Sequence, residues 1–240
     1  MTIFIFDMDG TLTPARQPMT SDFKKQFVPW LKQHNAYVAT GSDYGKVEEQ
    51  IPKEVINLFA GIYCSMGNTL YKKGKQIYQK KMAENKSLMD DLEKFRHDTK
   101  YSNQLFECYI EKRIGMVNFS VIGRNCPYEE RLKYASWDQQ NGERCNIQEV
   151  LSKKYPEYDF ELGGNISIDI IPKGCGKGQI AHHLRTEYPN EKLVFLGDRT
   201  VKGGNDYALA SELRKIGNSL VIQVENNVEV IKILSGDMTI

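Results

Sequence analysis

The sequence predicts an α/β protein whose parallel sheet is interrupted by a separate α+β segment. A short apolar, β-rich run at 2–6 is typical of a strand buried on both faces of a parallel sheet. Strand-like and helix-like segments alternate at both ends of the chain, which favours a doubly wound sheet with right-handed crossovers. The middle of the chain breaks this rhythm with paired strands and charged helices. We therefore predict a core from 1–79 and 178–240, with an inserted α+β cap over 80–177.

The first part of the core shows helical spacing followed by strand and turn signals. We expect a helix over 21–34, because aromatic residues such as Phe23 and Phe27 fall on one face. Ser21 can act as its N-cap, and Pro29 inside the pattern is expected to kink it. The other expected elements are a strand at 36–40, a helix at 43–51, an apolar run at 61–67 and a hairpin at 69–78 that turns at Lys73-Gly74.

The middle segment has a different pattern. A charged helix is expected at 83–98, paired strands at 105–110 and 115–122, helical pieces within 127–154, and another strand at 166–172. From residue 176 the α/β alternation returns. It predicts a helix at 177–187, a strand at 192–198, a Gly-rich loop at 202–205, a helix at 206–215 and a strand at 219–224.

Composition excludes several classes of function. The chain has 240 residues, 40% of them apolar, and 32 basic against 31 acidic residues, so it lacks the global basic field that attracts nucleic acid. The five cysteines are scattered without a zinc-ligand spacing, which favours reduced thiols in the cytoplasm. The N-terminus does not read as a signal peptide, and no apolar run reaches the roughly 18 residues of a membrane span. We expect a soluble cytoplasmic protein whose partners include neither nucleic acid nor a membrane.

Polar side chains follow several of the predicted parallel strands, at the sheet edge where α/β proteins bind ligands. Asp7 and Asp9 come directly after the first strand, and Asp198 comes after the strand near 192–196. Further residues expected at this edge are Thr40, Ser42 and Lys177. This set suits phosphoryl transfer through an enzyme carboxylate, with Mg²⁺ on other carboxylates and lysine on the phosphoryl oxygens. Two aspartates that only cap a turn are the alternative, which the full stretch FDMDGTLT after an apolar strand disfavours.

The stretches FDMDGTLT, TGSD and GDRTVKGGND, together with Lys177, resemble the haloacid dehalogenase-like phosphatases and phosphotransferases. The resemblance implies a Rossmann-like core with Asp7 as nucleophile and Asp9 as general acid/base. It implies Mg²⁺ ligands from Asp7, Asp9 and Asp198, with Asp9 acting through its backbone carbonyl. Asp206 is expected to support the metal site or Lys177, and the inserted α+β cap looks like the C2 type.

Four longer stretches are similar to the eukaryotic-type phosphomannomutases: DGTLTPARQ, RIGMVNFSVIGRNCPYEER, LGGNISIDIIPKG and GDRTVKGGNDY. The resemblance implies phosphosugar-binding roles for Arg16 in the core and for Arg113, Arg124, Arg131, Ser167 and Asp169 in the cap. Guanidinium groups suit a second phosphate, and two residues two apart in a strand point to the same face. The chain departs from the family pattern at Ile114, where asparagine is usual, and at Thr40, where glycine is usual.

The resemblance implies an isomerase that interconverts mannose 6-phosphate and mannose 1-phosphate through an aspartyl-phosphate and a hexose 1,6-bisphosphate. It also implies Mg²⁺ as cofactor, hexose 1,6-bisphosphate as activator, a place in GDP-mannose biosynthesis and a homodimer formed through the cap. The first alternative is a Mg²⁺-dependent sugar-phosphate phosphatase that uses the same aspartates with water as acceptor. The second is a non-catalytic sugar-phosphate binding module, against which the intact set of catalytic residues argues.

Overall fold

The structure is a computed structural model that describes residues 1–236, and these form two compact units. The core unit comprises Met1–Lys80 and the chain from Gly174 onward, and the cap unit is Lys81–Lys173. We expected the core at 1–79 and 178–240 and the cap at 80–177. The observed change from core to cap lies one residue later than expected, and the change from cap back to core lies four residues earlier. That each unit is an independent domain stays a prediction.

The strands and helices are numbered along the chain. The strands are β1 (Thr2–Phe6), β2 (Asn35–Ala39), β3 (Gly61–Cys64), β4 (Thr69–Lys72), β5 (Lys75–Gln79), β6 (Ile110–Arg113), β7 (Met116–Phe119), β8 (Tyr158–Gly163), β9 (Ser167–Pro172), β10 (Lys192–Gly197) and β11 (Ser219–Gln223). The helices are α1 (Ser21–Leu31), α2 (Tyr44–Gln50), α3 (Lys53–Ile56), α4 (Lys86–His97), α5 (Tyr128–Asn141), α6 (Glu143–Lys154), α7 (Gln179–Glu187), α8 (Tyr207–Ile216) and α9 (Asn227–Leu234). None of the helices within residues 1–236 is long and apolar enough to cross a membrane.

The core unit contains a seven-stranded sheet in the order β11-β10-β1-β2-β3-β4-β5. The strands from β11 to β3 are parallel, and the β4–β5 hairpin adds two antiparallel strands at one edge. One face packs on α1 through residues such as Phe27, and the other on α7 and α8 through Leu184 and Leu213. Because both faces are covered, β1 carries apolar residues on both sides, as its sequence predicts. The expected α/β class is confirmed.

The cap unit contains a four-stranded antiparallel sheet in the order β6-β7-β9-β8. Its apolar face, with Phe119, Ile168 and Ile170, packs against buried residues of α4, α5 and α6. The opposite face is polar. Strand register places four polar residues side by side across it, in the order Glu111, Asn118, Asp169 and Glu161.

Several expected elements differ from those observed. Helix α1 ends at Leu31 rather than at 34, and its N-cap is Thr20, whose hydroxyl accepts a hydrogen bond from the Phe23 amide at 3.3 Å. The strand expected at 105–110 begins only at Ile110, because Cys108 has φ 59° and this left-handed backbone interrupts an extended strand. Strand β8 and helices α3 and α9 were not predicted at all.

Candidate active site

A buried ion cluster lies at the carboxyl end of β1. The Lys177 ammonium is 2.6 Å from Asp7 Oδ1 and 2.5 Å from Asp206 Oδ1. Asp7 directly follows β1, Lys177 lies in the loop before α7, and Asp206 directly precedes α8. The three side chains are at most 3% exposed. Residues far apart in sequence therefore meet where the parallel strands end, as the predicted topology requires.

Glycines permit the close approach of the loops at this edge. A Cβ added at Gly10, which has φ 84°, would lie 2.5 Å from Asp198 Oδ2. A Cβ at Gly204 would lie 2.1 Å from the Arg199 carbonyl oxygen, in the loop that delivers Asp206. These positions explain why the motifs after β1 and β10 require glycine, since any side chain would push the carboxylates apart.

The electrostatics of the cluster balance burial against ion pairing. Burial raises the pKa of Asp7, and the adjacent Lys177 ammonium works against that rise. Burial works to lower the pKa of Lys177, but the carboxylates of Asp206 and Asp7 outweigh it and raise that pKa. Lys177 is therefore charged, and one ammonium offsets two buried carboxylates. Asp198 adds a third acidic group, and burial followed by the charge of Asp206 raises its pKa.

Two carboxylate oxygens at this edge are buried without a hydrogen-bond partner among the described residues, namely Asp7 Oδ2 and Asp198 Oδ1. Asp7, Asp198 and Asp206 each place one oxygen within 4.8 Å of the others. Orphaned, clustered carboxylate oxygens fit a hard divalent cation such as Mg²⁺. Both oxygens of Asp206 have partners, Oδ1 the Lys177 ammonium and Oδ2 the Arg199 amide, so Asp7 and Asp198, each with an unpartnered oxygen, are the side chains best suited to bind the cation. The carboxylate of Asp9 is outside this group of described residues, and its ligand role through the backbone carbonyl stays a prediction.

The loop after β2 places Thr40 and Ser42 at the same sheet edge. The Thr40 hydroxyl accepts a hydrogen bond from the Ser42 amide at 3.0 Å, so it braces the turn. The turn is also held by the segment after β3, where the Ser65 and Met66 amides donate to the Ser42 and Thr40 carbonyls at 2.8 and 3.1 Å. Ser65 and Met66 have φ values of 49° and 61°, so this brace is built from left-handed backbone.

Asp9 and Arg16 are joined by the loop after β1. The Arg16 amide donates to Asp9 Oδ1 at 2.6 Å, and Arg16 has φ 59°. The Arg16 side chain is exposed and makes no hydrogen bond within residues 1–236. The buried Gln50 also contacts this loop, and no sequence motif singled it out.

Two of the predicted cap arginines, Arg113 and Arg124, meet on the polar side of the cap sheet, and Arg131 of α5 contacts the Arg124 backbone. Arg113 and Arg124 both contact Glu111 Oε2, Arg113 through its Nη2 at 2.5 Å and Arg124 through its Nε at 3.4 Å. Arg131 donates to the Arg124 carbonyl at 2.5 Å. Burial lowers the pKa of Arg124, and the nearby charge of Arg113 adds to that shift. Sequence reasoning missed Glu111, although its position two residues before Arg113 in one strand places both side chains on the same face.

Ser167 and Asp169 share the polar face, as predicted. Arg124 Nη1 donates to the Ser167 hydroxyl at 3.4 Å, and Asn118 Nδ2 donates to Asp169 Oδ1 at 2.5 Å. Burial raises the pKa of Asp169, and the Asn118 hydrogen bond opposes it. The cap unit thus brings together the predicted cap residues and adds Glu111, which lies outside the quoted motifs, and Asn118, which lies inside the stretch RIGMVNFSVIGRNCPYEER but was given no role.

The fold belongs to a known class. A haloacid dehalogenase-like hydrolase from Bacteroides thetaiotaomicron superposes with a TM-score of 0.64 at 13% identity, over 99% of both chains. An IMP-nucleotidase from Plasmodium falciparum superposes with a TM-score of 0.62 at 15% identity, over 98% of this chain and 67% of that one. At such low identity these likenesses show the fold alone, and they confirm the expected haloacid dehalogenase-like architecture.

The sequence is more specific than the fold. The model of the eukaryotic phosphomannomutase family matches residues 24–235, a range that begins after Asp7, Asp9 and Arg16. The phosphomannomutase of Saccharomyces cerevisiae is 31% identical over 247 residues, covering 98% of this chain and 93% of the yeast protein. That of Spinacia oleracea is 34% identical over 230 residues, covering 91% of this chain and 90% of the spinach protein. The chain belongs to the eukaryotic phosphomannomutase family.

Proposed function

We propose that the protein is a phosphomannomutase, an isomerase that interconverts mannose 6-phosphate and mannose 1-phosphate. Family membership supports this activity, because the similarity to the family extends over most of the chain. The structural observation that carries it is the buried Asp7–Lys177–Asp206 cluster, in which burial raises the pKa of Asp7 and the bonded Lys177 ammonium favours its ionised form. An ionised, partly unsatisfied carboxylate is the nucleophile that phosphoryl transfer through an aspartyl-phosphate needs.

The proposed cycle starts from Asp7 carrying a phosphoryl group. A hydroxyl of the incoming sugar monophosphate attacks phosphorus, the bond between phosphorus and Asp7 breaks, and Asp9 takes the hydroxyl proton. The resulting hexose 1,6-bisphosphate turns around. Asp7 then attacks the other phosphate, the bond from phosphorus to the sugar oxygen breaks, and Asp9 returns its proton to that oxygen. Every bond and proton is restored at the end of the cycle.

Lys177 and the loop after β2 support these steps. Lys177 holds Asp7 in place and offsets the negative charge that gathers during transfer. Thr40 and Ser42 present hydroxyl and amide groups that suit phosphoryl oxygens. Asp7, Asp198 and the Asp9 carbonyl would hold Mg²⁺, which supplies charge neutralisation and polarises a phosphoryl oxygen.

The arginines of the cap unit account for the second phosphate of the sugar. Guanidinium groups bind phosphate with two parallel hydrogen bonds, and Arg113, Arg124 and Arg131 lie within one cluster. Ser167 and Asp169 offer a hydroxyl and a carboxylate for sugar hydroxyls on the same face. Arg16, in the loop after β1, is proposed as the arginine that the core unit contributes.

A coupled assay tests the activity. Mannose 1-phosphate is supplied with a trace of glucose 1,6-bisphosphate and Mg²⁺, and mannose 6-phosphate is detected through isomerase and dehydrogenase coupling enzymes. We expect mannose 6-phosphate to form and the bisphosphate to shorten any lag, since it phosphorylates Asp7. Steady release of inorganic phosphate without mannose 6-phosphate would instead identify a sugar-phosphate phosphatase.

The remaining properties are proposals that follow from the family. We propose Mg²⁺ as cofactor, hexose 1,6-bisphosphate as activator, a role in mannose metabolism that leads to GDP-mannose, and a cytoplasmic location. A homodimer through the cap unit is also proposed, and light scattering on the purified protein measures it. Domain boundaries close to residues 80 and 174–178 are testable by limited proteolysis.

A further inference from the structure

Gln50 is a buried polar residue at the end of α2 that no motif singles out. Its side-chain amide reaches the loop after β1, where it lies 2.9 Å from the Thr13 hydroxyl oxygen. Its backbone carbonyl accepts a hydrogen bond from the Met19 amide at 2.7 Å, at the far end of the same loop. The residue is 6% exposed, so its amide cannot exchange these partners for bulk water.

The surroundings of Gln50 determine which way its amide points. The Thr13 hydroxyl donates to the Met8 carbonyl at 3.2 Å, so it offers a lone pair to Gln50. The other two neighbours, the Gln17 carbonyl and Asp9 Oδ1, are also acceptors. With the NH₂ group on this side, the Gln50 nitrogen faces three acceptors, Thr13 Oγ1 at 2.9 Å and Asp9 Oδ1 and the Gln17 carbonyl oxygen at 3.2 Å each, and its two N–H groups are shared among them. Only this orientation satisfies both ends of the amide.

The consequence falls on one oxygen of Asp9. Oδ1 accepts from the Arg16 amide at 2.6 Å and from the Gln50 amide at 3.2 Å. Within residues 1–236 no hydrogen bond is made to Oδ2. Two donors from different elements fix the carboxylate plane, because one bond alone leaves the side chain free to rotate. Asp9 is thus held through Oδ1, and Oδ2 is available to exchange a proton.

We propose that Gln50 is a positioning residue for proton transfer, which holds Asp9 Oδ1 so that Oδ2 faces the reacting sugar oxygen. The inference rests on the proposed role of Asp9 as general acid/base. It assigns Gln50 to the protonation of the leaving oxygen and not to the attack of Asp7 on phosphorus. Gln50 should therefore matter only when the leaving group needs a proton.

The test compares two phosphoryl donors in the first half-reaction. When glucose 1,6-bisphosphate is the donor, the leaving group is a sugar alkoxide that must be protonated. When p-nitrophenyl phosphate is the donor, the leaving group is p-nitrophenolate, which is stable without a proton. Phosphorylation of Asp7 is followed by rapid quench for glucose phosphate, and by the burst of p-nitrophenolate. For Gln50→Leu we expect the bisphosphate reaction to slow on the order of ten-fold, the effect of one lost hydrogen bond to a charged group. The p-nitrophenolate burst should stay within about two-fold.

Two further variants keep the result interpretable. Thr13→Val removes a hydroxyl from the same buried network and leaves the Arg16 and Gln50 donors to Asp9 Oδ1 in place, so it should change the rates with both phosphoryl donors by the same factor. Gln50→Glu keeps the shape but replaces the donor with an acceptor, and it should reproduce the selective loss if Gln50→Leu fails to fold. Thermal unfolding of each variant checks the fold.

Equal losses on both donors, or no loss on the bisphosphate, would overturn the inference. A different observation would contradict the proposed function: wild-type protein that releases phosphate without forming mannose 6-phosphate. In that case the ratio of the two donor rates still reports whether Gln50 orients the acid for a sugar leaving group. The two failures are therefore distinguishable.

Discussion

The two units hold their charges in opposite ways. In the core unit Asp7, Lys177 and Asp206 are almost fully buried and bonded to one another at 2.5 to 2.6 Å. In the cap unit Arg113 and Arg124 are 34% and 25% exposed and share the single carboxylate of Glu111. The core cluster places two carboxylates on one ammonium, so it keeps an excess of negative charge in a buried site. The cap cluster keeps an excess of positive charge at a surface that water and ligands reach.

This difference separates chemistry from recognition. A nucleophile benefits from a fixed environment, because groups that are already oriented need no reorganisation during the reaction. A phosphate-binding site benefits from accessible guanidinium groups that give up water and a weak partner when the ligand arrives. We therefore expect substitutions in the core cluster to remove turnover or folding, and substitutions in the cap cluster to weaken substrate binding.

The largest effect is expected for Asp7→Asn. The amide cannot form the aspartyl-phosphate, so turnover in the coupled mannose 1-phosphate assay should fall by about a thousand-fold or more. Asp22→Asn, on the exposed first turn of α1, is the control and should retain activity. Unchanged turnover in Asp7→Asn would contradict the mechanism whatever the fold.

Lys177→Met should be the most destabilising change in the core cluster. It leaves the carboxylates of Asp7 and Asp206 buried without their ammonium, which costs about 3–5 kcal/mol of the free energy of unfolding. Urea denaturation measures this loss. The double variant Lys177→Met with Asp206→Asn should recover part of it, since one of the uncompensated charges is gone. A single variant as stable as the wild type would show that the cluster is not charged as described.

Arg124→Ala should act on binding. Removal of the guanidinium that contacts Glu111 and Ser167 should raise KM for mannose 1-phosphate on the order of ten-fold or more, with a smaller change in kcat. Arg96→Lys is the control, because Arg96 is a structural cap arginine whose Nη2 donates to the Phe106 carbonyl at 2.8 Å. It should lower stability and leave KM unchanged. A loss confined to kcat in Arg124→Ala would place Arg124 outside phosphate recognition.

The positions of the motifs were predictable, but their local partners were not. Asp7 and Asp198 meet because they follow neighbouring strands of one parallel sheet, and this topology is readable from apolar periodicity, whereas Lys177 comes from the loop before α7. The bond between Lys177 and Asp206 depends on how the loop after β10 folds around Gly204, which periodicity does not encode. Gln50 and Glu111 act through side-chain hydrogen bonds, for which single-sequence reading has no signal.

Misplaced elements have equally local causes. Strand β8, with the sequence YDFELG, alternates apolar and acidic residues, which is the pattern of a half-buried strand, and the sequence prediction overlooked it. The strand expected from residue 105 starts late because Cys108 takes a left-handed conformation, although the Phe106 and Tyr109 backbones still bond to the segment after β7. Short helices such as α3, four residues long, offer too few turns for periodicity to show.

The smallest effect is expected on the polar face of the cap sheet, for Glu161→Gln. Burial raises the pKa of Glu161, and the carboxylate of Asp169 opposite it adds to that shift. Because the folded-state pKa is raised, the stability linked to this group is full below its ordinary pKa of 4.5 and is lost as pH rises through the folded value. The amide should therefore stabilise the protein at pH 7 by no more than about 0.5 kcal/mol, since water screens the pair.

Urea denaturation at pH 7 and pH 4 checks this change. The gain at pH 7 should vanish at pH 4, where the glutamic acid is largely protonated in both states. Glu149→Gln, on the exposed side of α6, should show no gain at either pH. A gain of equal size at both pH values would mean that packing, rather than charge repulsion, causes it.

The fate of the phosphoryl group tests the central claim most directly. Phosphorus NMR follows mannose 1-phosphate, mannose 6-phosphate and inorganic phosphate in one sample that contains the enzyme, Mg²⁺ and a trace of glucose 1,6-bisphosphate. We predict that mannose 1-phosphate converts to mannose 6-phosphate until the two reach equilibrium, with inorganic phosphate a minor product. Loss of mannose 1-phosphate matched one to one by inorganic phosphate, with no mannose 6-phosphate, would contradict the account.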